Sequence, residues 1–226
     1  MKFAGALFGD KIPRCAAFVG GGGKTTAIRA LALELTDKGR KVVITTTTKM
    51  LPPEDPAIFA HTVEEAERIL RRSDVVWAGV GVCCDNTYKM QGIDGALPAL
   101  CAMADCVLVE ADGARAHPLK MIDAAYEPQI PPQAEFTAAV AGLDGIGRTV
   151  AQAVHRPELA CAALGVEMGH IVTAGDVARL LRICYAPDVV LLNKADDAQK
   201  KAAAEAVARY LPDVRCVIWS LHGGTV

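Results

Sequence analysis

The chain is 226 residues long, 52% hydrophobic and only 5% aromatic, a composition that excludes an extended disordered chain and calls for a core of Ala, Val, Leu and Ile. Its 24 basic and 26 acidic side chains give a formal charge of -2, and no basic run exceeds pairs such as Arg71-Arg72 and Lys200-Lys201, so nucleic acid is not an expected partner. Eight cysteines without a C-x-x-C argue against a disulfide framework or a zinc ribbon and fit a reducing cytoplasm.

The opening "MKFAGALFGDKIPR" carries a short apolar run that Asp10, Lys11 and Pro13 interrupt, with no A-x-A-like cleavage signature after it, so it reads as part of the fold. No later run approaches the ~18 to 20 apolar residues of a membrane span, and a soluble protein is expected. Ala16 to Val19 reads as a buried strand ending in glycines. A helix follows from Thr25 to Lys38, with Ile28, Leu31 and Leu35 on one face and Gly39 as its stop. "KVVITTTT", Lys41 to Thr48, is β-branched and completes a right-handed β-α-β unit. Then come a helix at Val63 to Arg71, a strand at Val75 to Val82, a helix at Ile93 to Ala102 and the strand "CVLVE" at Cys106 to Glu110.

A proline-rich excursion covers about 115–135. "FTAAVAGLDG" returns as a strand, before a helical stretch from Pro157 to Leu181, the strand "VVLLN" at Val189 to Asn193, a helix at Ala198 to Tyr210 and the strand "RCVIWS". The alternation predicts an α/β fold, phosphate-loop NTPase-like, with a mostly parallel sheet, helices on both faces and a single domain over 1–226.

"FVGGGGKTT", Phe18 to Thr26, places Gly20, Gly21, Gly22 and Gly23 between strand and helix. Glycine-rich backbone can turn its N-H groups toward phosphate oxygens, and the helix that follows adds its positive end. Lys24 is the candidate contact to β and γ phosphates, Thr25 offers a hydroxyl to Mg²⁺, and Thr26 completes the turn. The pattern G-x-x-x-x-G-K-[ST] would need glycine where Phe18 stands, so either Phe18 tolerates that geometry or the loop is tighter and starts at Gly20.

"LLNKAD" ends a late strand and contains N-K-x-D. The Asp196 carboxylate can accept from the N1-H and 2-amino groups of guanine, donors that adenine lacks. Asn193 would tether the loops and the stem of Lys194 would cover the ring. GTP is favoured by this pattern, ATP is not excluded, and the competing structural account is a turn in which Asp196 caps the next helix.

"VLVEADGA" ends an apolar strand in Glu110 and Asp112, hard oxygen donors suited to Mg²⁺. "TTTTKM" puts Thr48 and Lys49 where they could act at a γ-phosphate, although a threonine run also simply favours strand. His117, Lys120, His155 and Arg156 are polar residues of loop segments and candidates for a second ligand or a switch. Cys83 and Cys84 are candidate soft ligands, an ordinary strand end being the alternative.

The ordered series "FVGGGGKTT", "VVITTTTKM", "VEADGARAHPLK", "YEPQIPP", "AGLDGIG", "VHRPE" and "LLNKAD" resembles the YqeC-type family of selenium cofactor biosynthesis proteins, accessory factors of selenium-dependent molybdenum hydroxylases. The E-x-x-G element Glu110-Ala111-Asp112-Gly113 and the threonine-rich strand are also similar to metallochaperone GTPases of the phosphate-loop class. The resemblance implies a nucleotide-dependent maturation role with a selenium-dependent molybdenum hydroxylase or its cofactor-assembly proteins as partners, while the motifs themselves point to Mg²⁺ and to GTP or ATP as ligands. Slow hydrolysis is the expected reaction. A kinase or nucleotidyl transferase acting on a cofactor precursor, and a non-hydrolysing carrier of selenium or molybdenum cofactor, are the alternatives, and a homodimer is left open.

Overall fold

The computed structural model describes residues 2–84 and 87–220, and the side chains of Cys83 and Cys84, candidates above, lie outside the described part. Twelve strands occur among the described residues: β1 (Cys15–Gly20), β2 (Val42–Thr46), β3 (Phe59–Ala60), β4 (Val75–Ala78), β5 (Val80–Cys84), β6 (Thr87–Gln91), β7 (Cys106–Glu110), β8 (Leu119–Lys120), β9 (Phe136–Gly142), β10 (Val154–His155), β11 (Val189–Asn193) and β12 (Arg215–Trp219). The helices are α1 (Phe3–Phe8), α2 (Lys24–Thr36), α3 (Val63–Leu70), α4 (Leu97–Met103), α5 (Val150–Ala153), α6 (Pro157–Leu164), α7 (Ala174–Cys184) and α8 (Ala198–Arg209). Eight strands follow the hydrogen-bonded order β12-β11-β9-β1-β7-β2-β4-β3, a mostly parallel α/β sheet. Strands β2, β7 and β11 are buried at every position, as β-branched and aliphatic runs without alternation require of a covered parallel sheet.

The chain divides into two compact units. The first comprises Met1–Phe18, Ala27–Gly113 and Gln129–Phe136. In it β7 lies between β1 and β2, with Leu108 opposite both Ala16 and Ile44. Val43, Val76, Val107 and Val109 pack with Leu70 and Leu100 from α3 and α4 into an aliphatic core. Helix α1 joins this unit: Leu7 is fully buried, the Ala4 amide donates to Glu34 Oε2 at 2.9 Å, and Phe8 meets Phe136 edge to face. The opening segment is thus a packed part of the fold. Cys15 and Cys106 are buried free thiols, and burial raises both, Cys106 to about 12, which keeps them protonated.

The second unit comprises Val19–Thr26, Ala114–Pro128 and Thr137–Val226. Here β11 lies between β9 and β12, Leu191 being opposite Val140 and Val217. A two-residue parallel pairing joins β8 to β10, with His155 opposite Lys120.

Four sequence expectations are corrected. The strand expected over 75–82 breaks at Gly79, whose amide donates to Ala60, and the chain then enters the antiparallel β5–β6 hairpin. The helix expected from Ile93 begins at Leu97, after a turn in which Gly95 has φ 68° and where Pro98 suits a first helical turn. The helical stretch at 157–181 is two helices: Gly165 in the left-handed region ends α6, and a capping box between Thr173 and Asp176 starts α7. The excursion around 115–135 is not wholly irregular, since it contains β8.

Candidate functional site

In the second unit the glycine loop connects β1 to α2. Phe18 is fully buried within β1, so the loop is the tighter alternative, turning at Gly20, Gly22 and Gly23, with φ of 95°, 72° and 117°. A side chain at Gly20 would run into the Val140 backbone and one at Gly22 into Gly142, so these positions need glycine for both conformation and space. The Gly21 amide donates to the Val140 carbonyl at 2.9 Å and the Gly22 amide to the His117 carbonyl at 3.0 Å. Those two glycines therefore shape the loop, which leads through Gly23 into the first turn of α2, the end of a helix that favours an anion. Lys24 is 5% exposed, and its ammonium folds over the loop onto the Gly20 carbonyl at 2.5 Å. Thr25 is half-buried and Thr26 exposed.

The loop is held from the end of β11. Buried Asn193 donates through Nδ2 to the Gly22 carbonyl at 2.8 Å, and its Oδ1 accepts from the Lys194 amide at 2.8 Å. Lys194 has φ 68°, and its ammonium pairs with Asp144 Oδ2 at 2.9 Å. Asp196 does not cap the following helix. That position belongs to Asp197, whose carboxylate accepts from the Lys200 amide at 2.8 Å, while Asp196 Oδ1 accepts from the Ser220 hydroxyl at 2.5 Å. Lys200 stands 3.4 Å from the other Asp196 oxygen. A hydroxyl on one side and an ammonium on the other orient this carboxylate.

The first unit holds the acidic candidates. Glu110 closes β7 and Asp112 follows two residues later; they are 6% and 0% exposed. The Thr46 hydroxyl donates to the Glu110 carbonyl at 2.7 Å and the Thr47 amide to the same oxygen at 3.1 Å, which pins the end of β2 to the end of β7. Thr48 is half-buried with its hydroxyl 3.3 Å from that of Thr46, whereas Lys49 is exposed. Thr45 to Thr48 also line a cavity of about 590 Å³ with Gln91, Gly92, Val109, Gln129 and Gln133. That volume suits a small organic ligand, and its walls contain no basic side chain.

Sequence reasoning missed Ser220 and Asp144. Ser220 follows an ordinary strand, and nothing local marks it as a partner for a carboxylate 24 residues earlier. Asp144 was visible only as part of "AGLDGIG". Among the described residues no group of three or more His, Cys, Asp or Glu is arranged to hold a metal.

Residues 16–158, more than half of the chain, match a family model described as YqeC protein. A relative, the "Uncharacterized protein YqeC" of Escherichia coli strain K12, is 34% identical over 167 residues, 66% of this chain and 60% of its own length. The chain thus spans less than two thirds of that relative. Among solved structures, the signal recognition particle 54 kDa protein of Aeropyrum pernix K1 in complex with GDP superposes with a TM-score of 0.45 at 17% identity, covering 93% of this chain and 42% of that one. The hydrogenase maturation factor HypB of Archaeoglobus fulgidus gives a TM-score of 0.41 at 10% identity, covering 97% and 87%.

Proposed function

The chain belongs to the YqeC family, and from that premise we propose that it binds a nucleoside triphosphate, GTP in preference to ATP, and slowly hydrolyses it as a cytoplasmic accessory factor in maturation of a selenium-dependent molybdenum hydroxylase or its cofactor. The observation that carries the nucleotide reading is the Asn193–Gly22 hydrogen bond, because it couples the loop suited to phosphate to the loop suited to a base. Asp197 supplies the helix cap, and the base-reading role is assigned to Asp196, which Ser220 and Lys200 orient.

In this reading Lys24 and the amides from Gly23 onward neutralise charge on the phosphates, which is worth most in a site sheltered from water. Lys24 would exchange its bond to the Gly20 carbonyl for phosphate oxygens. Asp196, held by Ser220, would receive the guanine donors, and Asn193 would maintain the spacing between base and phosphate. The buried carboxylates Glu110 and Asp112 fit Mg²⁺ as hard oxygen donors, with Thr25 as a candidate hydroxyl ligand; the ion would supply charge neutralisation at phosphate oxygens. Thr48 and exposed Lys49 are the proposed catalytic-side contacts. The likeness of the ordered motif series to selenium cofactor biosynthesis proteins supports the maturation role.

The test is titration of the purified protein with GTP and ATP, with and without Mg²⁺, followed by product analysis. Tighter GTP binding with release of GDP and phosphate alone is the expected result, and failure to bind either nucleotide would overturn the reading. A second reading, group transfer to a bound acceptor, is favoured by the cavity at Thr45 to Thr48 and would show as a labelled acceptor.

A further inference from the structure

The second unit contains a basic cluster that the nucleotide reading does not use. The β8–β10 pairing sets His155 opposite Lys120, and the Met121 amide donates to the His155 carbonyl at 3.0 Å. Lys120, with its side chain fully buried, pairs with Glu127 Oε2 at 2.8 Å, and Arg156 pairs with the same oxygen. The rings of His117 and His155 lie 5.8 Å apart, tilted by 34°. His117 uses Nδ1 toward the Ala114 carbonyl, and its Nε2 has no hydrogen-bond partner among the described residues. Neither ring nitrogen of half-buried His155 has one.

The backbone supports the same location. Four non-glycine residues with positive φ occur among the described residues, and three of them flank this histidine pair: Arg115 and Ala116 immediately before His117, and Arg156 immediately after His155. Left-handed conformations in residues with a side chain are unfavourable and persist where the surrounding structure enforces them, a pattern concentrated at ligand sites. Here they flank two neighbouring imidazoles, with the Arg156 guanidinium held on Glu127. The cluster is also tied to the glycine loop, since the carbonyl of His117 itself holds the Gly22 amide.

We propose that His117, His155 and Arg156 form a binding site for the oxyanion of a second ligand, either free phosphate or a phosphate monoester, next to the glycine loop. Arg156 provides the planar fork that matches a tetrahedral oxyanion, His155 provides an N-H donor, and His117, whose Nδ1-H is engaged by the Ala114 carbonyl, presents Nε2 as an acceptor for the P-OH of a singly protonated phosphate. Glu127 holds the guanidinium through the carboxylate oxygen that also pairs with Lys120. The surroundings of His155 suit this use: burial, followed by Lys120, Arg156 and His117, lowers its pKa to about 4, and Glu127 opposes the shift, so the ring is neutral and able to donate through one nitrogen at neutral pH.

The experiment follows the histidine ring signals by proton NMR during titration with inorganic phosphate and, separately, with glycerol phosphate, in the wild type and in Lys24→Ala, where phosphate at the glycine loop is removed. The expected result is a saturable shift of the His117 and His155 signals in both proteins while those of His61 and His170 stay still. Arg156→Gln should weaken the effect at least tenfold. The tighter of the two probes identifies whether the ligand is free or esterified. Absence of a saturable shift at both histidines, an unchanged response in Arg156→Gln, or equal movement of all histidines with ionic strength would overturn the proposal. Should Arg156→Gln not fold, His155→Gln with the His117 signal as reporter replaces it. Because the readout does not involve nucleotide, it stands even if neither GTP nor ATP binds, and it can fail while nucleotide binding succeeds.

Discussion

The side-chain amide of Asn193 donates to the carbonyl of Gly22 at 2.8 Å, across 171 positions of sequence. Both groups are buried, so neither can exchange its partner for water at no cost. Asn193→Ala should therefore destabilise the protein by about 1–3 kcal/mol, the usual cost of a buried polar group left unsatisfied. It should also weaken triphosphate binding by releasing the loop. Denaturant unfolding and nucleotide titration check the two effects, and a variant that binds as tightly as the wild type would show that the glycine loop holds its shape without the tether.

Lys24→Ala removes the ammonium that lies over the loop. The core packing of α2 depends on Ala27, Ile28, Leu31 and Leu35, not on this residue. The expected outcome is a cooperative melting transition with triphosphate binding lost. Retained affinity in the folded variant would reduce the four glycines to a structural turn.

Base choice is tested by Asp196→Asn and Ser220→Ala together. Asp196→Asn should lower GTP affinity on the order of tenfold to a hundredfold and improve binding of xanthosine triphosphate, whose 2-oxo group can accept from the new amide. Ser220→Ala should lower GTP affinity less, because it frees the carboxylate without removing it. Equal GTP and ATP affinity in all three proteins would mean that the base is not read here.

The carboxylates can be separated by their metal dependence. Glu110→Gln and Asp112→Asn keep size and change charge, and at least one should shift the Mg²⁺ titration of nucleotide binding to higher concentration. Unchanged Mg²⁺ titrations in both would place the metal elsewhere.

His155 gives a pH prediction with a definite sign. Its folded pKa is lowered to about 4 by burial and by Lys120, Arg156 and His117, against the pull of Glu127. Between about 6.5 and 4 the unfolded chain therefore binds a proton that the folded chain refuses, and stability falls as pH falls through this window. His155→Gln should flatten that dependence, measured as urea unfolding midpoints at a series of pH values. An unaltered slope would show that the imidazole titrates normally in the fold.

Much of the architecture was legible from local physics. Runs such as "CVLVE" and "VVLLN" have no polar alternation, as strands covered on both faces of a parallel sheet do, and the four glycines before Lys24 mark a strand-to-helix turn because side chains there are excluded. The motif series identified the family from residues alone. Other features depend on contacts distant in sequence. Phe18 could not be placed inside or outside the loop until β1 was seen to pair it with Glu110. In the sequence Asp196 is the cap candidate for α8; the structure gives that place to Asp197, while the Ser220 hydroxyl, brought alongside by β12, donates to Asp196. The short β8–β10 pairing has too few residues to carry a periodic signal, yet it unites "RAHPLK" with "VHRPE". Hydrophobic pattern and backbone preference act over a few residues and so are written locally; hydrogen bonds between buried polar groups are set by which chain segments the packed sheet brings together, and only the tertiary structure decides that.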